Sequence, residues 1–125
     1  NNIEESKYLA ELINRSNCGL LLDVTNLYIN SHNHKYDPID FLNNIPPDSI
    51  TQLHFVGGIE KDGKWIDSHG HNTQDEIFDL IEEVLKYASV KGVILERDAN
   101  FPEFDVLIDE LDRVRRLGRK YGRWD

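Results

Sequence analysis

Basic charge is scarce in this sequence: 14 Lys and Arg stand against 23 Asp and Glu, a formal net charge of -9 with the five His neutral. A chain that binds a phosphate backbone ordinarily shows a basic footprint, so no nucleic acid is expected as partner. Cysteine is scarcer still. The single Cys18 excludes an internal disulfide and fits a reducing, cytoplasmic setting. No apolar run approaches the roughly 20 residues that span a bilayer, and the polar first residues do not predict a signal peptide. Repeats, low-complexity tracts and interdomain linkers are absent. Gly57-Gly58 lacks the spacing and the following Lys-Ser/Thr of a phosphate loop, and no Ser occupies a nucleophile elbow. What is present, 125 residues at 39% hydrophobic and 30% charged, suffices for one domain with one core.

Periodicity divides the chain into alternating helices and strands. Tyr8, Leu9, Leu12 and Ile13 recur at helical spacing and predict an amphipathic helix over residues 4–16. Residues 19–23 form a short apolar run ending in Asp23, as suits a strand covered on both faces. The polar stretch 30–37, with His32 and His34, reads as a loop. Asp37 then caps a short helix that Pro38 opens and Pro46-Pro47 ends. Residues 49–56 alternate as a second strand, with Ile50, Gln52 and His54 on one side and Thr51, Leu53 and Phe55 on the other.

Lys61-Asp62-Gly63-Lys64 predicts a tight hairpin turn. A long helix follows from Asn72 or Thr73 to about Ala88, with Ile77, Leu80, Ile81, Val84 and Leu85 as its stripe. Residues 92–96 make a third strand ending in Glu96. Phe104, Leu107, Ile108, Leu111, Val114 and Leu117 form the stripe of a last helix, with its acids early and its bases late. This order predicts α/β architecture with a parallel sheet and outer helices. Three parallel strands cannot close a barrel, which takes roughly 250 residues, and an open sheet leaves two edges for something else to cover.

The chemistry-bearing residues gather at the strand ends. Asp23 ends the first strand, His54 lies near the end of the second and Glu96 ends the third, where parallel α/β folds place their functional groups. Asp67 and His69, two apart in an extended segment, project to the same side. Imidazoles with carboxylates and no thiolate pair suit Fe, Mn or Zn in an open site better than structural zinc. Each residue also has a plainer reading. A strand-end acid caps helices or pairs with a base such as Arg97, a lone His54 serves as a hydrogen-bonded core histidine, and His32, His34 and His71 sit in solvated loops. The plain readings must hold independently at every strand end, whereas one metal cluster explains them together. Cys18 precedes its strand and so lies at the opposite end, in a structural position.

The segments Leu20-Leu21-Leu22-Asp23-Val24-Thr25-Asn26-Leu27-Tyr28, Asn33-His34 and Leu53-His54-Phe55-Val56-Gly57-Gly58 come in order, followed by Ile66-Asp67-Ser68-His69-Gly70-His71 and Leu95-Glu96-Arg97-Asp98. This series resembles the multinuclear non-haem iron-dependent oxidative enzymes, of which the methanobactin-biosynthesis oxidase is the best-known type. The resemblance runs from about Glu5 to about Leu111. It implies a (β/α)8 TIM-type barrel, xylose-isomerase-like and related to endonuclease IV, with two or three Fe ions at its mouth and dioxygen as co-substrate. It also implies oxidative modification of cysteine and other residues in ribosomally made precursor peptides, with a partner protein presenting the peptide. Carried over by position, the implied metal ligands are Asp23, Asn26, His54, Asp67, His69 and Glu96, with His54 and Glu96 at the catalytic centre. His34 matches a recurrent family histidine.

Two departures accompany the resemblance. Thr25 stands where Asn is common, and the match covers only the family's C-terminal half. The chain is therefore expected to form a single partial-barrel domain over 1–125, completed by an N-terminal half-barrel chain or by self-association. The alternatives are a Mn- or Zn-dependent isomerase- or endonuclease-like barrel, and a degenerate half-barrel that only binds a partner.

Overall fold

The structure, a computed structural model, describes residues 2–125. Helix α1 (Asn2–Ser16) has acids in its first turn and Arg15 in its last, complementing its dipole. Only part of the expected stripe reaches the core. Ile13 is buried and Leu9 packs against the core, but Tyr8 and Leu12 are exposed because α1 rests mainly on helix α3 (Pro38–Asn43). Strand β1 (Leu20–Asp23) passes directly into α2 (Val24–His34), a helix whose last turns take in residues 30–34, where a loop is expected. Asp23 starts it by accepting a hydrogen bond from the Asn26 N–H at 2.9 Å. Val24, Leu27 and Ser31 then bury one side, leaving His32 and His34 exposed on the other. For α3 the sequence reading holds: Pro38 opens the helix and Asp37 accepts from the Ile39 N–H at 2.8 Å.

Strand β2 (Ile50–Phe55) lies between β1 and β5 (Gly92–Leu95), parallel to both. The register sets the two faces of this three-stranded sheet. Leu22, Leu53 and Val93 are neighbours across the strands on the face that the helices cover, where Leu53 and Phe55 are fully buried. Full burial of side chains this size stabilises the fold by about 1.5–3 kcal/mol each. Asp23, His54 and Ile94 are neighbours on the opposite face. That face is not covered, contrary to the expectation for β1: Leu21 is 48% and Ile94 43% exposed.

Strands β3 (Ile59–Lys61) and β4 (Lys64–Ile66) make the expected hairpin, with Asp62 (φ 54°) and Gly63 (φ 78°) both in the left-handed region its turn needs. The Asn33 side chain fixes the hairpin to α2, donating to the Trp65 carbonyl at 3.0 Å and accepting from the Trp65 N–H at 2.9 Å. Helix α4 (Asp75–Tyr87) begins two to three residues later than the sequence suggests, and it buries the stripe foreseen for it. Helix α5 (Phe104–Lys120) packs on α4, where Tyr121 Oη at 2.6 Å and Lys120 Nζ at 2.9 Å share Glu82 Oε2. Its stripe is shorter than expected. Val114 is buried, but Phe104 is 71% and Ile108 37% exposed, on the side where no strand among the described residues pairs with β5. Among the described residues no helix is long and apolar enough to cross a membrane.

Candidate metal centre

The open face of the sheet carries the strand-end residues. Alternation puts Leu21 and Asp23 of β1, Gln52 and His54 of β2, and Ile94 with Glu96 beyond β5 on the same side. The Glu96 N–H donates to the Phe55 carbonyl at 2.9 Å, which continues the β2–β5 ladder by one residue and sets Glu96 beside His54. Nδ1 of His54 contacts Glu96 Oε1, and Nε2 lies 3.1 Å from Gln52 Oε1. Both side chains are about three-quarters or more buried. Arg97 points away from Glu96, as adjacent residues on an extended chain must.

The second group stands on the loop after β4. Asp67 faces His69 Nε2 with both oxygens, at 3.0 Å (Oδ1) and 3.1 Å (Oδ2), but only Oδ2 is aligned to accept. Oδ1 is buried and makes no hydrogen bond. Nδ1 of His69 lies 3.2 Å from Asp98 Oδ2. His69 itself has φ 52°, and its carbonyl accepts from the N–H groups of Asp98 (3.0 Å) and Ala99 (3.2 Å). Arg97 completes the tie between the two loops: Nε donates to the Ala99 carbonyl at 3.0 Å, Nη1 to Asn72 Oδ1 at 2.6 Å, and Nη2 to the Asn100 carbonyl. His71, foreseen as solvated, is half-buried and bonds Ser68 Oγ through Nδ1 at 2.5 Å.

Electrostatics link the groups. Burial raises the Asp23 carboxyl above the ordinary carboxylate range, and the charges of Asp67 and Glu96 push it further. The Asn26 N–H and His54 act in the opposite direction without cancelling the shift. Asp23 therefore shares a field with His54, Asp67 and Glu96. For His69, burial works against the charged imidazole, but the hydrogen bonds and charges of Asp67 and then Asp98 outweigh it and raise its pKa.

These placements sort the expected residues. Asp23, His54, Asp67, His69 and Glu96 come to one end of the open face. Asn26 stands at the same end, in the first turn of α2, with an exposed side chain. His34 does not join them; it is exposed and about 12 Å farther along the axis of α2 than Asn26. Sequence reasoning missed Gln52 and Asp98 as partners of the two imidazoles. Asp98 was legible in principle, since it follows Glu96 by two, the same spacing that links Asp67 and His69.

Among the described residues, no three His, Cys, Asp or Glu side chains stand together as a ready-made ion cage. The donor chemistry nevertheless fits a cation. Two imidazoles are held by carboxylates, one buried carboxylate oxygen has no donor, and like charges crowd Asp23. Asp98 on the far nitrogen of His69 is the arrangement that orients a metal-binding imidazole.

The raised pKa gives a stability prediction. The folded chain holds the Asp23 proton more tightly than the unfolded chain, so ionised Asp23 opposes folding as pH rises past the ordinary carboxylate range. Asp23→Asn keeps an equivalent helix cap and removes the charge. It is expected to raise the stability of the metal-free chain in urea melts at pH 7, and the gain should vanish near pH 3.5. Equal or lower stability at pH 7 would contradict the crowding.

Comparison with known proteins gives a consistent set of relatives. Residues 1–119 match the family described as RiPP precursor modification enzyme MbnB/TglH/ChrH. The chain is 38% identical over 118 residues to a UPF0276 protein of Streptomyces avermitilis, covering 94% of this chain and 24% of that protein. A UPF0276 protein of Acaryochloris marina is 36% identical over 114 residues, 91% of this chain and 41% of the relative. One of Bordetella bronchiseptica is 36% identical over 117 residues, 90% and 40% respectively. The chain thus spans well under half the length of these relatives.

Proposed function

Since the chain belongs to the MbnB/TglH/ChrH family of RiPP precursor modification enzymes, we propose that it is the C-terminal part of a (β/α)8 barrel that oxidatively modifies residues, cysteine foremost, of a ribosomally made precursor peptide. One observation carries the metal-centre half of this reading: Asp23, His54, Asp67 and Glu96 share one electrostatic field at the carboxyl end of a parallel sheet. The barrel is supported by the sheet itself, whose strand order follows the chain, whose edges are free and whose inner face leaves Leu21 and Ile94 to solvent.

Asp23, Asn26, His54, Asp67, His69 and Glu96 are the residues that would hold iron. Iron bound there supplies one-electron chemistry with dioxygen as co-substrate. The remaining work belongs to the chain. Glu96 and Gln52 fix the ring of His54, and Asp98 fixes that of His69. Arg97 locks the two loops so that the donors keep their places. The covered barrel excludes water from the inner face, and a presenting partner protein brings the peptide to the mouth. The carboxylates by themselves disfavour a thiolate, so a cation held by them would supply the positive charge that a substrate thiolate needs.

The test is metal analysis and mass spectrometry on the chain joined by the missing barrel strands, incubated with a precursor peptide and dioxygen. Two or three irons and an oxygen-dependent mass change in the peptide are expected. Manganese or zinc in place of iron favours an isomerase- or endonuclease-like reaction. No metal at all, with partner binding unaffected by His54→Ala, favours a degenerate binding subunit.

A further inference from the structure

Among the described residues, β5 has a hydrogen-bonded neighbour on one side only. Beside its free edge a cavity of about 440 Å3 opens between β5 and α5, lined by Gly92, Val93, Leu111, Arg115 and Arg119 among others. Along α5, Phe104, Ile108, Leu111, Arg115 and Arg119 follow at intervals of four, three, four and four, and so form one stripe. Toward the sheet's carboxyl end the stripe is apolar and open, with Phe104 71% and Ile108 37% exposed. Toward the other end it is basic, where Lys91, Arg115 and Arg119 outnumber Asp125 and the Asp112 that pairs with Arg115. In a chain carrying 23 acids and 14 bases this face is the exception.

The two arginines are held only from their own side. Arg115 Nη1 meets Asp112 at 2.6 Å within the same helix, and Arg119 Nε donates to the Asp125 carbonyl at 2.8 Å. Both side chains border the cavity.

A free strand edge next to a helix stripe that is apolar and then basic has the shape of a seam. The strand edge takes a strand by main-chain hydrogen bonds, and the stripe takes the helix that follows it. A second copy of the chain is a poor occupant, because three strands from each copy make six, short of the eight that close such a barrel. The relatives extend well beyond the part this chain matches.

We propose that the β5–α5 face docks a strand–helix unit whose helix places acidic residues opposite Arg115 and Arg119, contributed by the stretch of the family's sequence that this chain does not match. The proposal rests on the barrel reading above and adds which face is the seam and what charge its partner carries.

To test it, the unmatched part of the Acaryochloris marina relative is produced as a separate polypeptide and mixed with this chain, and association is followed by sedimentation. A one-to-one complex is expected. Its affinity should fall at least tenfold in the double variant Arg115→Glu/Arg119→Glu, and fall likewise as salt is raised. A circular-dichroism melt of the variant confirms that it still folds. A polypeptide that becomes soluble only when co-produced with this chain is the same result in another form. Undiminished affinity after the charge reversal overturns the proposal, as does a homodimer of this chain that excludes the added polypeptide, or a polypeptide that stays unassociated. A complex that forms as expected yet binds no iron and modifies no peptide counts against the functional reading alone.

Discussion

Gly57→Ala is expected to destabilise the fold by about 1–3 kcal/mol and to displace the loop that carries Asp67 and His69. A Cβ at position 57 would stand 2.1 Å from the Asn72 carbonyl oxygen and 2.3 Å from that of His71. Both are backbone atoms, so no side chain can rotate away to make room. The Gln74 side chain brackets the same contact, accepting from the Gly58 N–H at 3.1 Å and donating to the Gly58 carbonyl at 2.5 Å. Displacing residues 71–72 moves Asn72 Oδ1 away from Arg97, and Arg97 holds the loop that bonds the His69 carbonyl. One methyl group thus acts on the candidate site through three loops.

Urea melts give the stability change, and imidazole NMR signals of His54 and His69 report the displacement. Gly92→Ala is the control, because a Cβ there meets nothing within 4 Å. It is expected to be neutral or slightly stabilising through lost freedom in the unfolded chain. A Gly57→Ala protein as stable as the control, with unchanged His69 signals, would sink the argument.

Much of this arrangement was legible from residue types alone. The stripe of α4, the Asp37-Pro38 start of α3, the Asp-Gly hairpin turn and the alternation in β2 each follow from local spacing, and the structure keeps them. Helix α2 was not legible for a local reason. Asp23 suits a strand-end ligand and a helix cap alike, and its type alone does not tell that it caps a helix beginning at the very next residue. The polar run after Ile29 resembles a loop, although it is the exposed side of a helix whose Val24, Thr25, Leu27, Ile29 and Ser31 are buried.

The exposed ends of two stripes have a different cause. Tyr8, Leu12, Phe104 and Ile108 carry the apolar pattern of buried positions, yet the described chain brings nothing to cover them. Periodicity reports which residues are fit to be buried, and it is silent about which element buries them.

The centre itself was legible as a set of residues and illegible as a set of contacts. Type and position singled out Asp23, His54, Asp67, His69 and Glu96. That Gln52 takes one nitrogen of His54, and that Asp98 takes one of His69, depends on the register and on loops crossing between strands. Arg97 is the plainest case. Its neighbour in sequence is Glu96, but its hydrogen bonds go to Asn72 in another loop and to Ala99 and Asn100 in its own.

On the proposed reading, His54→Ala and Glu96→Gln are expected to reduce both iron content and peptide modification by about ten- to a hundredfold in the assembled barrel. The two variants should differ in what they do to the metal-free chain. Glu96 is one of the two carboxylates whose charge raises the Asp23 carboxyl, so Glu96→Gln relieves the crowding while keeping the side chain's shape. Its metal-free stability at pH 7 is therefore expected to equal or exceed that of the parent. His54→Ala leaves Glu96 and Gln52 without the ring that now lies between them and removes a group that favours ionised Asp23, so its metal-free stability should fall.

A group of residues placed for the fold would lose stability and function together. Acids crowded for a cation give the reverse for Glu96→Gln, a sounder apo-protein that no longer does its chemistry. Denaturant melts of the metal-free chains, set beside iron content and product yield of the assembled ones, separate the cases. Iron content and yield within twofold of the parent in both variants would remove His54 and Glu96 from the centre and leave their contact as a structural pair.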